Sequence, residues 1–140
     1  MWATESTELT KRTHLGKIWA KWADVDTWTS WDQDIEWVKL EGPLEKGASG
    51  KLKSKGGPAT SFTVLDAIPG SRFTTRSFLP FSSMDFIHTL SPEGDHLRIT
   101  HRIEIKGPLA FLFSRLLGPH LKKGLPATVC ELVQQVEKSN

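Results

Sequence analysis

Two histidines occupy positions that an oily strand face would give to apolar side chains. In "LRITHRIEI", Leu97, Ile99, Ile103 and Ile105 alternate with Arg98, Thr100, Arg102 and Glu104, and His101 falls on the apolar side. In "MDFIHTL", Met84, Phe86, His88 and Leu90 share one face, leaving Asp85, Ile87 and Thr89 on the other. The turn signal "SPEGD" joins the two segments as a hairpin. A tight turn at Glu93 and Gly94 would pair His101 with Phe86, whereas a turn shifted along the chain would set it opposite His88; in both registers the imidazoles are direct or diagonal neighbours. Neighbouring imidazoles in an apolar cavity lose basicity through desolvation and mutual repulsion. Neutral rings of that kind can hydrogen-bond a carbonyl compound or remove a proton beside its carbonyl, so His88 and His101 are the candidate catalytic residues. The alternative is that each ring satisfies a backbone carbonyl or a water inside a mixed core. A metal site is not expected, because two histidines lack a third convergent ligand and Asp85 points the other way by parity.

Other residues invite chemistry and receive simpler readings. Asp32, Asp34 and Glu36 read as a solvated strand entry beside helix ends rather than an acid/base pair. Lys51, Lys53 and Lys55 read as charges guarding an exposed strand edge. No phosphate-binding G-x-x-x-x-G-K-[ST], G-x-S-x-G elbow or H-E-x-x-H is present, which removes the common nucleotide-binding and hydrolase readings. Trp19, Trp22, Trp28 and Trp31 are expected to clamp two short helices onto a sheet, with Trp28 near the mouth of any cavity as a possible gate. Trp37 shares parity with Ile35 and joins the candidate ligand contacts, although "IEWVKL" carries apolar residues on both faces.

The elements that must position these side chains follow from periodicity. Residues 2–10 predict a first strand. Leu15, Ile18, Trp19 and Trp22 predict a helix of about two turns capped by Thr13, and "DVDTWTSWD" a second short helix with Asp24 and Asp26 as cap candidates. From 35 to 106 a period of two punctuated by "EGPLEKG", "KGGP", "IPGS", "LPFSS" and "SPEGD" predicts five or six antiparallel strands. A helical pattern returns after "KGP", interrupted at Gly118-Pro119 and bent at Pro126. The fold class is α+β: a curved antiparallel sheet wrapped around a long C-terminal helix, with two short helices after the first strand, in one domain spanning 1–140. Parity then predicts the lining of the space beneath that helix. Phe62, Val64, Phe73, Thr75, Phe86, His88, Ile99, His101 and Ile103 face it from the sheet, and Leu117, Leu121, Leu125 and Val129 answer from the helix.

Composition limits the partners. Eighteen lysines and arginines against 16 aspartates and glutamates give no electrostatic footprint for a general nucleic-acid binder. A single cysteine excludes an intrachain disulfide and a thiolate metal cluster. With no leader-like start and no run of eighteen apolar residues, the chain reads as soluble and cytoplasmic, without integral membrane association. No cofactor signature accompanies it.

Taken together, "IWAKWADVDTWTSWDQDIEWV", "GASGKLK", "VLDAIPGSRFT", "RITHRIEIKGPLA" and "GLPATVCELV" resemble the polyketide cyclase/dehydrase group of the SRPBCC superfamily, the START-like or helix-grip fold related to the major birch pollen allergen. The resemblance implies a deep hydrophobic cavity between sheet and terminal helix, used by different members for lipids, sterols, polyketides or quinones. Three readings stand: a binder of an apolar small molecule; a cyclase, dehydratase or isomerase using a cavity histidine; and a carrier or chaperone docking on a membrane or protein through Leu109, Phe111, Leu112 and Phe113, partly exposed at the helix start. The family's cyclases place tyrosine in the pocket, and this chain has none.

Overall fold

Alternating segments became strands and 3.6-periodic segments became helices in the computed structural model, which describes residues 1–139. In chain order these are β1 (Trp2–Lys11), α1 (Leu15–Ala23), α2 (Trp28–Trp31), β2 (Ile35–Leu40), β3 (Ser49–Ser54), β4 (Ala59–Ile68), β5 (Arg72–Leu79), β6 (Ser82–Glu93), β7 (His96–Lys106) and α3 (Ala110–Lys138). The strands form one antiparallel sheet of seven, ordered β1-β7-β6-β5-β4-β3-β2. Sheet and terminal helix together make a helix-grip-like α+β fold. Among the described residues no helix is long and apolar enough to cross a membrane.

Two register shifts help the sheet to curl. One lies between Ile35 and Trp37 on β2, the other between Val64 and Asp66 on β4. An extra residue in one strand bends it and increases local twist. Gly50 permits a further close approach: a Cβ there would sit 2.3 Å from the Lys39 carbonyl oxygen and 2.6 Å from Phe62 Cζ. Only a residue without a side chain lets the Phe62 ring lie across β3.

The concave side is filled at one end. Ile18, Trp22, Phe73, Leu97, Ile99, Val129, Leu132 and Val136 are sealed from solvent there. Trp22 is the centre of this cluster, with ring centroids 5.3 Å from Phe73, 5.4 Å from His88 and 5.7 Å from His101. α3 packs mainly over β1 and β7, toward one margin of the sheet.

Several local expectations give way to tertiary context. Thr13 does not cap α1; it sits in a 3-10 turn, and the entry is held by Thr10 Oγ1 against His14 Nδ1 at 2.8 Å. Asp24 accepts from the Asp26 amide at 3.2 Å, but this caps the 3-10 turn Val25–Thr27; α2 starts after Thr27 without a side-chain cap from Asp24 or Asp26. Gly118-Pro119 does not divide the terminal helix, which runs unbroken through Pro119 and Pro126. β3 is not an edge, since β2 and β4 flank it, and Lys53 is engaged with Glu36 at 2.7 Å. Gly50→Ala should lower unfolding stability by about 1–3 kcal/mol, the usual cost of forcing a group into a filled core, as read from a urea midpoint. An unchanged midpoint would mean that the Phe62 ring has somewhere else to go.

Candidate functional site

The register of β6 and β7 decides what the two histidines can do. β6 ends at Glu93 and β7 starts at His96, so Gly94 and Asp95 form the turn, with Gly94 at φ +60°. Glu93 pairs with His96 and, five steps along, His88 pairs directly with His101. The imidazole centroids lie 4.5 Å apart, edge to face. His88 stacks flat on Phe73 at 4.0 Å, and Trp22 and Trp31 close over His101 at 5.7 and 5.9 Å.

Burial holds both rings neutral. It pushes His88 down to about 3, against opposing effects from the Phe73 and Phe86 backbone. His101 is held well below the ordinary imidazole range by burial first and by neighbouring His88 second. His88 Nδ1 and His101 Nε2 are buried without a hydrogen-bond partner in the protein. A polar atom in that condition ordinarily costs about 1–3 kcal/mol.

These rings form part of the wall of a cavity of about 110 Å³ between sheet and helix. Phe62, Thr75, Phe86, Ile103, Leu121 and Leu125 join them, as parity predicts, and so does Trp28 from α2. Trp28 is a fixed wall rather than a gate, because its ring is buried and Nε1 donates to the Trp22 carbonyl at 2.9 Å. Six expected lining residues lie off the wall. The bulge after Ile35 turns Trp37 away, and the Lys39 ammonium sits over its ring, 5.7 Å from the centroid. Val64, Phe73, Ile99 and Val129 are packed solid elsewhere in the core, and Leu117 belongs to a stretch of α3 that does not reach the cavity.

Additional lining residues are present. Ser77 and Met84 continue the alternation of Thr75 and Phe86 by one step, and Thr128 lies a turn beyond Leu125, so these were accessible to the same parity rule. Asp32 and Asp34 were not, and they correct the solvated-entry reading. Both belong to the cavity wall. Burial, with a smaller contribution from the Asp34 charge, pushes Asp32 up to about 6; the Asp34 amide, Lys55 and the Thr128 hydroxyl oppose this. Asp34 Oδ1 lies 3.2 Å from His120 Nε2, and its other oxygen fits where Gly124 leaves α3 bare, since a Cβ there would be 2.7 Å away. Asp85, by contrast, faces away and is clamped by Arg76 through two hydrogen bonds of 2.7 and 2.9 Å. Arg102, also at the wall, commits its guanidinium to Glu5 and Glu104. No three His, Cys, Asp or Glu side chains converge on a metal position among the described residues.

No protein-family model and no curated protein matches this chain. Solved structures do share its fold. A hypothetical protein of Helicobacter pylori superposes with TM-score 0.81 at 12% identity over 96% of this chain and 88% of its own. DynU16, encoded in the dynemicin biosynthetic locus, gives 0.71 at 16% identity over 99% of this chain, which spans about half (48%) of DynU16. A Thermus thermophilus protein gives 0.72 at 10% identity over 99% of both chains. At these identities the likeness is one of fold.

The buried imidazoles have a measurable signature. An unfolded histidine takes up a proton near pH 6.5, whereas folded His88 does so only near 3, so stability falls as pH drops below 6.5. Asp32 acts in the opposite sense, favouring the folded state as pH falls through 6. That contribution is common to wild type and a His88→Gln variant and cancels between them. From pH 6.5 to 5, wild type should lose about 2 kcal/mol more than the variant in urea unfolding. Equal losses would mean that His88 is protonated in the fold as freely as in water.

Proposed function

We propose that the protein binds a small apolar molecule in the cavity beneath α3, with His88 and His101 as the polar floor that orients it. The observation that carries this reading is that both histidines line a largely apolar cavity and each keeps a buried ring nitrogen without a protein partner. A neutral imidazole offers one donor and one acceptor nitrogen, which suits a hydroxyl or carbonyl on an otherwise greasy ligand. The sequence resemblance to the polyketide cyclase/dehydrase group of the SRPBCC superfamily supports a ligand of lipid, polyketide, sterol or quinone type. A neighbour encoded in a biosynthetic locus accords with small-molecule chemistry.

Volume narrows the class. About 110 Å³ is below the roughly 300 Å³ at which ligand pockets usually begin, and near the ~150 Å³ cavity that takes benzene. The resting cavity therefore fits a single ring, and a sterol or long acyl chain requires α3 to move.

Magnitudes also rank binding above catalysis by the histidines. A general base works best with a pKa near the working pH, and a ring held near 3 is a poor proton acceptor at neutrality. In the second reading, a cyclase or dehydratase, the acid/base group is better supplied by Asp32, whose carboxyl is pushed up to about 6 at the wall of the same cavity.

Native mass spectrometry of the purified protein should reveal a co-purifying apolar compound. Phenol and toluene then separate polar recognition from burial. In His101→Leu, phenol affinity measured by NMR titration should fall about three- to tenfold, one neutral hydrogen bond, while toluene affinity stays within twofold. A parallel loss for both probes would assign the imidazoles to packing alone.

A further inference from the structure

Large apolar side chains crowd one end of the molecule with nothing over them. Phe81, in the β5–β6 turn at φ +52°, is 80% exposed, and Phe78 beside it 54%. The first turns of α3 add Phe111 at 65%, Leu112 at 41% and Leu116 at 67%. Turn and helix are in contact. The Leu109 amide donates to Ser82 Oγ at 3.2 Å, and Gly107, at φ +114°, lies so close that a Cβ would be 2.8 Å from the Phe81 carbonyl oxygen. Leu109 and Phe113, expected to share this role, are half-buried.

Charge is unevenly distributed along the chain. The whole chain is nearly balanced, with 18 basic and 16 acidic residues. Yet residues 107–130 contain Arg115, Lys122 and Lys123 and no acid at all, and residues 77–84 are uncharged. All three cations are exposed and share the outward arc of α3 with Phe111 and Leu116, while Leu121, Leu125 and Thr128 turn inward to the cavity.

We propose that this end of the protein docks reversibly on an anionic lipid bilayer, with Phe78, Phe81, Phe111 and Leu116 entering the headgroup boundary and Arg115, Lys122 and Lys123 facing the lipid phosphates. Aromatic and leucine side chains beside cations, on a helix whose other face is occupied, form the usual interfacial pattern. The three exposed cations match an anionic surface, although Asp34 packs against α3 at His120 and Gly124. A second copy of the chain fits less well, because a two-fold contact through this patch brings like cations to face each other. The inference stands independently of what the cavity holds.

Vesicle co-sedimentation tests it with the full-length protein. At about 100 mM salt, partitioning onto phosphatidylcholine vesicles containing phosphatidylglycerol should exceed that onto phosphatidylcholine alone by at least about tenfold, since each surface cation is worth about fivefold. The triple variant Arg115→Gln/Lys122→Gln/Lys123→Gln should abolish this preference. Phe81→Ser/Phe111→Ser should weaken binding to anionic vesicles about tenfold, with an unchanged thermal midpoint because both positions are exposed. Wild-type protein that stays in the supernatant with anionic vesicles overturns the proposal. So does a concentration-dependent dimer, seen by sedimentation and dissolved by the same serine pair, with no vesicle binding, which would assign the face to a second copy.

Discussion

Water is excluded from the contact between Trp22 and the His88–His101 pair, and much of the structure follows from that exclusion. A proton on either ring would place a charge among Phe73, Trp22 and Trp31, where burial opposes it. The rings therefore remain neutral, and neutrality makes each nitrogen a directional hydrogen-bonding group rather than a charge. Trp22 reaches them only because α1 crosses the concave face, and α1 stays there because Ile18 and Trp22 are fully buried against the sheet. Moving the β6–β7 turn by one pair of residues would exchange His101's partner and dissolve the constellation.

The fold was legible in the sequence because its signals are local and repeated. Alternation in "LRITHRIEI" and "RFTTRSF" identifies strands wherever they pair, and a hairpin turn fixes neighbours. The cavity was legible in part for the same reason: parity carries Phe62, Thr75, Phe86, His88, His101 and Ile103 to one side. It fails at bulges. One extra residue between Ile35 and Trp37 reverses the face of everything beyond it, and no sequence period announces that insertion. Parity also cannot say where a shared face is filled and where it is hollow. Ile99 and His101 face the same way, yet Ile99 lies under the packed end and His101 at the cavity.

Asp32 and Asp34 illustrate a different limit. As sequence they are two acids in a polar connection, and a solvated loop is the lowest-energy assignment for such residues. What places them at the cavity is a helix roughly ninety residues later, where Gly124 provides room for the Asp34 carboxylate and Thr128 lines the same wall as Asp32. Glycine in that helix looks like a helix-weakening residue in isolation. In the fold it is a notch cut to the shape of Asp34.

The two proposed roles meet on α3, whose halves are held differently. Val129, Leu132, Val133 and Val136 fix the second half in the core, each worth roughly 1.5–3 kcal/mol if fully buried. The first half buries chiefly Ala110, Gly118 and Leu125, and Pro119 and Pro126 each remove a helical hydrogen bond within or beside it. Displacement is therefore cheapest in the first half, which carries Leu121 on its cavity side and Phe111, Arg115 and Leu116 on its outer side. A surface that attracts the outer arc acts on the same turns that wall the cavity, so enlarging a ring-sized space for a longer ligand and seating the helix on lipid draw on one soft segment. The rigid second half leaves Trp22 and the imidazole floor in place while that happens.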